Sequence, residues 1–551
     1  ALASAPLEDS GRGGTAIGRR DLLGGDLEAP ALELIRVAKE LNKLPELLSK
    51  VESADAKVDP RGRLAMLAIV HAALGNDPAA TDALKQLKPL AEKLPFDAPT
   101  WRRWPELVAA AGALSRPACA AVTAELLDVP VRQGRAVVAS KFPLPKAEDS
   151  LLTAHALRGR AAQPAARFGK DPGLAFWAPV THLTAATAGL GRPKPLWVAA
   201  DNGVTHYPGH AVDALYFRSP LRGEFDVQAE LTTFDWREAY LGYGAARFEV
   251  KHDRKSFDMY AIAHKLRTGK IDPPLPELGE WYKYRLVIKD GSWKAFINDR
   301  EVCEEPLPAD ADPWLVLSTH AGNTAGFRNV RIIGTPTIPE WIDLLGTTAL
   351  ASWQSYAGEV VGSENGSWNR RGEELNGIGL YQAQYAWYLS KKPPRTWTER
   401  ALFYHRPMLE DGTIEYEFYY EPEKTLVHPA LDRLCLLLDP KGVRVHRLTD
   451  GPNERTDLKP DNSTTEPANR RGPAELPLKP KSWNKVALSL AGDTLTLKLN
   501  DVEIYQRPVD AGNQRTFGFF HYADETTARV RNVVYKGHWP KTLPKDDEMF
   551  R

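Results

Sequence analysis

A β-type pattern occurs twice, in the same order, in the C-terminal part of this 551-residue chain, so a fold that accommodates one copy must accommodate both. Ala214-Leu215-Tyr216-Phe217-Arg218-Ser219-Pro220-Leu221 matches Ala401-Leu402-Phe403-Tyr404-His405-Arg406-Pro407-Met408, and each is followed by a glycine turn, Gly223 and Gly412. Trp281 through Val302 matches Trp483 through Ile504, with a polar glycine turn (Asp290-Gly291, Gly492-Asp493) and then Asn-Asp (Asn298-Asp299, Asn500-Asp501). Each copy closes on Arg-Asn-Val, Arg328-Asn329-Val330 and Arg531-Asn532-Val533. The matched turns place Asp290 opposite Gly492, and the glycine turns place Asp226 opposite Glu415 and Gln228 opposite Glu417. Trp281 and Trp483, at matched positions, are expected in the core.

Within each copy apolar and polar residues alternate, as in Phe225 to Leu231 and Tyr284 to Lys289, which puts one face of a strand on a core and the other in water. Short strands separated by frequent turn signals predict β-sandwiches. The N-terminal part has a different texture. Residues 1–28 are Gly-, Ser- and Arg-rich and read as a flexible leader. Apolar residues at three-to-four spacing from Ala31, and again over Leu64–Leu74, Ala79–Leu94, Pro105–Leu114 and Ala118–Leu127, predict short amphipathic helices, with Asp77 before Pro78 as a helix start. The expected organisation is α + β multidomain: a leader (1–28), a helical-hairpin, repeat-like region (29–170), and two antiparallel sandwiches (171–340 and 341–545).

The order of strand, Trp strand, turn, strand, Asn-Asp turn and closing strand resembles the concanavalin-like jelly roll, laminin-G domains included, and distantly the 3-keto-disaccharide hydrolase sandwich. Glu280-Trp281-Tyr282-Lys283-Tyr284-Arg285, Asn298-Asp299-Arg300-Glu301-Val302, Tyr404 through Gly412 and Phe520-His521-Tyr522-Ala523-Asp524-Glu525-Thr526 are similar to a planctomycete bacterial family filed as a domain of unknown function. That resemblance spans roughly 175–545 and implies export but no activity. Ala1-Leu2-Ala3, in the small-x-small form of a signal-peptidase site, fits the same expectation of an extracytoplasmic protein.

Composition narrows the function. Lys+Arg and Asp+Glu are both 71, so the basic excess of a nucleic-acid binder is missing. No apolar run approaches the ~20 residues of a membrane helix. Cys119, Cys303 and Cys435 lie far apart and form no CxxC pair, which excludes a zinc knuckle by spacing.

Three groups of residues could carry chemistry. Glu224, Asp226 and Glu230 share one strand face with Gln228, and two carboxyls on one face are what a retaining glycosidase needs. The same alternation is also what a solvated sheet face looks like. His320 and His521 lie near the ends of equivalent strands, with His252, His264, His405, His428 and His446 elsewhere, but no pair has metal-site spacing. No cofactor is expected; loop acids such as Asp439 and Asp524-Glu525 could hold calcium, although no EF-hand order supports it. Tyr240, Tyr243, Tyr381, Tyr385 and Trp387 could offer aromatic platforms to pyranose rings, joined by His320 and His521 as ligand-binding residues. The polar stretch Thr449–Leu476 reads as a long loop inserted between strands. The expected function is binding of a polysaccharide, cell-surface glycan or matrix, with the helical region docking a protein partner. The alternatives are a carbohydrate-active hydrolase and a structural subunit of a surface assembly.

Overall fold

The computed structural model describes residues 31, 34, 35, 37–39, 41–55, 59–93, 105–113, 116–140, 174–182, 196–200, 202–207, 212–232, 239–251, 253–261, 265–278, 281–320, 325–346, 350–356, 367–378, 399–449, 462–510 and 513–550. The chain forms two compact units: a helical one, essentially residues 1–170, and a β unit that holds almost everything after it.

The helical unit contains α1 (Leu44–Glu52), α2 (Pro60–Ala73), α3 (Asp77–Glu92), α4 (Pro105–Ala113) and α5 (Ala120–Ser140). Alanines at helical spacing (Ala65, Ala68, Ala72, Ala80, Ala83) let α2 and α3 approach closely around Leu84 and Leu87. The helix start is one residue earlier than the sequence reading: Asn76, not Asp77, caps α3 by accepting from the Ala79 amide at 3.3 Å. Asp77 instead sits in the first turn and is gripped by Arg116 at 2.6 and 2.9 Å. α5 continues through Pro130 to Ser140, past the end expected at Leu127. Half-buried Arg61 binds buried Glu106 at 2.9 and 2.7 Å and links α2 to α4.

The β unit is two sandwiches. The first uses β1 (Trp177–His182), β2 (Leu196–Ala200), β3 (Gly203–Tyr207), β4 (Val212–Phe217), β5 (Phe225–Thr232), β6 (Tyr240–Tyr243), β7 (Ala246–Val250), β8 (Ser256–Ala261), β9 (Lys265–Lys270), β10 (Trp281–Lys289), β11 (Ser292–Ile297), β12 (Arg300–Pro306), β13 (Val316–His320) and β14 (Ala325–Gly334). A short β15 (Ile342–Asp343) follows. The second uses β16 (Trp353–Ser355), β17 (Trp368–Arg371), β18 (Glu374–Gly377), β19 (Glu399–Tyr404), β20 (Gly412–Tyr420), β21 (His428–Leu431), β22 (Leu434–Asp439), β23 (Gly442–Arg447), β24 (Thr464–Thr465), β25 (Ser482–Ala491), β26 (Thr494–Leu499), β27 (Val502–Pro508), β28 (Phe517–Tyr522) and β29 (Ala528–Gly537).

The sheet orders are β1-β4-β13-β6-β7-β8-β9 over β12-β11-β10-β5-β14-β3-β2, and β16-β19-β28-β21-β22-β23-β24 over β17-β18-β29-β20-β25-β26-β27. Shifting each number in the first sandwich by fifteen gives the second. The Asn-Asp turns explain part of this register. Asn298 and Asp299 have φ of 46° and 66°, and Asn500 and Asp501 have 49° and 67°, the two left-handed residues of a type I′ hairpin. Each Asn side chain also accepts a backbone amide at 3.0 Å from a strand beside the hairpin, Lys283 of β10 and Lys485 of β25. A bulge at Asn329 (φ 53°) in β14 recurs at Asn532 (φ 54°) in β29.

Two sequence expectations change. First, the ladders pair Glu230 with Arg328 and Glu417 with Arg531, so Glu230 corresponds to Glu417 and Gln228 to Glu415. The sequence match was two residues off because its glycines are not equivalent. Gly223 occupies a turn at φ 89°, whereas Gly412 lies inside the ladder, where a Cβ would meet the Lys536 carbonyl at 2.5 Å. Second, part of the stretch read as an inserted loop is β24, the counterpart of β9 at the sheet edge.

Each sandwich has its own core between its sheets, around Leu215, Leu241, Phe248 and Leu286 in the first and Leu402, Leu436, Leu488 and Phe519 in the second. Met549 and Phe550 pack on the first sandwich. Phe550 stacks on Trp177 at 5.7 Å, and the Trp177 indole donates to the Met549 carbonyl at 2.9 Å.

Candidate functional site

The β5 carboxylates lie on the outer face of their sheet, each with a partner. Asp226 is bound by Arg285 at 2.7 Å, and Glu230 by Arg328 at 2.7 Å and Asn329 at 3.0 Å. Glu224, exposed just before the strand, accepts the Asp290 amide at 3.4 Å. The hydrogen bond from Arg328 outweighs desolvation and holds the Glu230 carboxyl below its usual value, opposite to what a glycosidic general acid requires. Arg328 in turn lies 4.2 Å over the Trp281 ring. The second sandwich repeats this arrangement with Arg531 on Glu417 at 2.7 Å and over Trp483 at 4.1 Å. Both tryptophans are therefore half-buried on an outer face rather than in the core, because a long arginine on the neighbouring strand covers them.

The segment Tyr404–Gly412, singled out by resemblance, forms the joint between the sandwiches. Buried Asp312, at the entry to β13, accepts from the Trp314 amide at 3.3 Å and from the Tyr404 hydroxyl, and meets His405 Nε2 at 3.0 Å. His405 Nδ1 meets the Tyr216 hydroxyl at 2.8 Å. The ionised Asp312 carboxylate can only accept, so His405 Nε2–H is the donor in that contact. Burial raises the Asp312 pKa, but the charge and hydrogen bond of His405, with the bonds from Tyr404 and Trp314, more than offset it and leave the carboxyl below its ordinary value. Burial, reinforced by Asp312, pushes the Tyr216 hydroxyl up. Beside them Arg406, fully buried, stacks over Trp314 at 3.6 Å and grips Glu410 at 2.9 Å. The joint is dense in polar groups and almost closed to water.

On one side the joint opens onto the outer face of the β4–β13–β6–β7–β8 sheet. The ladders bring Tyr216, Val316, Gly242, Arg247 and Tyr260 side by side across five strands. Gly242 keeps the row low, since a Cβ there would meet the Ala246 carbonyl at 2.8 Å. The Arg247 guanidinium is flanked by the rings of Tyr240 at 5.0 Å and Tyr260 at 5.1 Å, contacts worth about 0.5–2 kcal/mol each when desolvated. A cavity of about 30 Å³ lies here, lined by Tyr216, Arg247, Tyr260, Trp314, Ser318 and His405, with Ala214, Ala245, Ala246 and Val316 as its apolar floor. Arg247 Nε and Ser318 Oγ are buried there without a hydrogen-bond partner.

The sequence-predicted site residues are thus separated. Tyr240 belongs to this face. Tyr243, three residues on, points into the core, where it packs edge-on against Phe225 and donates to the Leu221 carbonyl at 2.7 Å. His320 ends β13. His521 is buried between the second pair of sheets against Trp368, with Nδ1 2.9 Å from the Thr526 carbonyl, and burial drops its pKa to about 4. Tyr381, Tyr385 and Trp387 lie outside the described residues.

The same face of the second sandwich carries different groups. Phe403, Gly518, Ala430, Cys435 and His446 take the places of Tyr216, Val316, Gly242, Arg247 and Tyr260. Glu399 binds His446 Nε2 at 2.7 Å, the Thr449 amide at 3.1 Å and its hydroxyl at 2.7 Å, leaving His446 Nδ1 buried and unpartnered. Among the described residues, no group of three or more His, Cys, Asp or Glu side chains gathers to hold a metal ion, and no helix is long and apolar enough to cross a membrane.

Sequence reasoning noticed His405 and His446 but not their roles, because Asp312 lies 93 residues from His405 and Glu399 lies 47 from His446. Arg247 and Ser318 gave no sequence signal at all.

With this geometry in place, residues 394–542 match a family model described as "Domain of unknown function (DUF1583_N)", and residues 285–368 match "Protein of unknown function (DUF1581)". Both stretches lie within the region that resembled such a family, and the first contains the joint segment. No curated protein matches the chain in sequence. Among solved structures, the carbohydrate binding module CBM66 from Bacillus subtilis is similar at 15% identity over 29% of this chain and 96% of its own, with a TM-score of 0.21. A Bacillus subtilis protein of unknown function with a galectin-like fold is similar at 10% identity over 29% of this chain and 90% of its own, TM-score 0.22. A putative glycosyl hydrolase from Parabacteroides distasonis is similar at 12% identity over 36% of this chain and all of its own, TM-score 0.21. What those proteins bind or cleave remains a property of those proteins.

Proposed function

We propose that this chain is an extracytoplasmic glycan-binding protein, and that its first sandwich takes a sugar on the outer face of the β4–β13–β6–β7–β8 sheet. One observation carries the reading: half-buried Tyr260 borders a small cavity where two buried donors, Arg247 Nε and Ser318 Oγ, lack hydrogen-bond partners. A tyrosine ring offers the apolar face of a pyranose a flat partner, and unpaired donors around it select hydroxyls or other oxygens. In this reading the helical unit supplies the contact to a protein partner, and an extended polymer could engage both sandwiches with a gain in avidity.

Gel retardation and reducing-sugar release, followed together over a panel of algal and bacterial polysaccharides, test the proposal. Retention without release is expected, with Tyr260→Ala weakening it by about tenfold, the loss of roughly one good contact. Retention indifferent to Tyr260→Ala, or no retention on any polymer, sinks the assignment. Hydrolysis is the second reading, favoured by the Glu399–His446 pair with its free imidazole nitrogen. It would appear as sugar release that His446→Gln abolishes.

A further inference from the structure

Arg247 poses a problem that the protein alone does not solve. Arginine carries a fixed positive charge, and this one is only 8% exposed. A buried cation of this kind ordinarily meets a carboxylate, yet among the described residues none pairs with it. Asp258, on the same face of β8 but opposite Glu249 in the ladder, is engaged by Lys251 at 3.1 Å and by Thr268 at 2.6 Å. Glu249, on the same face of β7, has interactions of its own. Ser318, 5% exposed, holds a second unpartnered donor on the same cavity.

Two buried donors, one of them a permanent cation, converge on a hollow of about 30 Å³ with an apolar floor. That is room for a carboxylate group or one to two waters. We propose that the cavity seats the carboxylate of a uronate residue, so that the glycan bound by the first sandwich is an acidic one. The proposal rests on the glycan-binding reading and names its ligand class. The guanidinium edge donates to the two carboxylate oxygens, Ser318 Oγ–H supplies a further hydrogen bond, and the Tyr260 ring lies beside the pyranose that carries the group. The second sandwich cannot do the same. Cys435 replaces Arg247, Phe520 replaces Ser318 and His428 replaces Tyr240, so the stoichiometry is one acidic site per chain.

Titration calorimetry of the full chain with oligogalacturonate and oligoglucuronate, each against its carboxyl-reduced counterpart, tests this. At least one acidic oligomer is expected to bind at one site per chain, about tenfold or more tighter than its reduced form, with the advantage shrinking as salt rises. Arg247→Gln should erase the difference between the two forms, and Ser318→Ala should reduce it about threefold. Ser318→Ala removes one oxygen, so it stays informative even if the arginine variant does not fold. Equal affinity for both forms overturns the carboxylate seat and leaves glycan binding standing. Tighter binding of a sulfated galactan than of either uronate also overturns it. Binding of none of these oligomers or of the polysaccharide panel removes both proposals together.

Discussion

Strand for strand the two sandwiches agree, yet one row across the same sheet holds Tyr216, Val316, Gly242, Arg247 and Tyr260 in the first and Phe403, Gly518, Ala430, Cys435 and His446 in the second. The opposite sheets tell the reverse story. There the Glu–Arg–Trp stack, the left-handed Asn bulge and the Asn-Asp turn recur nearly atom for atom. Groups that set register resist change, because a one-residue slip would turn every core side chain outward. The outer face of the other sheet carries no such constraint, and that is where the copies differ in chemistry. The first has charged, aromatic and hydroxyl groups there, whereas the second has a buried apolar cluster (Ala401, Ala430, Cys435, Leu437, Phe520) beside a Glu–His pair.

If the sandwiches act as one body through their joint, the largest effect should come from Asp312. Asp312→Ala leaves His405, Tyr404 and the Trp314 amide without their common acceptor and is expected to cost about 3–5 kcal/mol. Urea unfolding should then separate into two transitions. Because the folded carboxyl titrates below its ordinary 3.8, Asp312 contributes stability above that pH and loses it as pH falls through the lower folded value. Asp312→Asn should lack that part of the acid limb. A variant that still unfolds in one transition at the wild-type midpoint would show that the joint does not couple the sandwiches.

Acid should next distinguish the two copies. The second holds His428 and His521 buried and neutral; burial, with His521, Arg444 and His446, takes His428 to about 3, and burial takes His521 to about 4. An unfolded chain protonates both below 6.5 while the folded one does not, so stability falls as pH drops from 6.5 towards those values. At pH 4.5 the loss is about 2–3 kcal/mol per histidine. Hydrogen exchange at pH 7 and 4.5 should therefore open the β21–β22–β28 strands before the matching strands of the first sandwich. His428→Asn, which keeps an acceptor for the Leu438 amide, should narrow the gap. Equal opening of both copies at low pH breaks the distinction.

The strand pattern and the jelly-roll class were legible because alternation, Asn-Asp turns and the closing Arg-Asn-Val segment are local signals. The site was not, because it depends on register between strands that lie far apart in sequence. Tyr240 and Arg247 become neighbours only once β6 and β7 pair, and Asp312 meets His405 only when the two sandwiches dock. Tyr243 misled for the same reason: its spacing from Tyr240 cannot say which of the two faces the core until the strand is placed. The carboxylates of β5 were visible as a period-two row, but their arginine partners arrive from β10 and β14, which turns apparent acid chemistry into ion pairing.

The smallest predicted effect bears most directly on that last point. Glu230→Gln and Glu417→Gln each remove the carboxylate under an arginine that remains stacked on tryptophan and partly hydrated. Each should cost about 0.5–1 kcal/mol, the range of a semi-exposed pair. The two losses should agree and should add in the double variant, since the stacks belong to separate sandwiches and share no partner. Matched values from denaturant midpoints would establish the stack as a register device used twice. A Glu230→Gln variant that keeps its stability but loses sugar release, with no such effect at Glu417, would instead put chemistry on β5 and overturn the structural reading of its carboxylates.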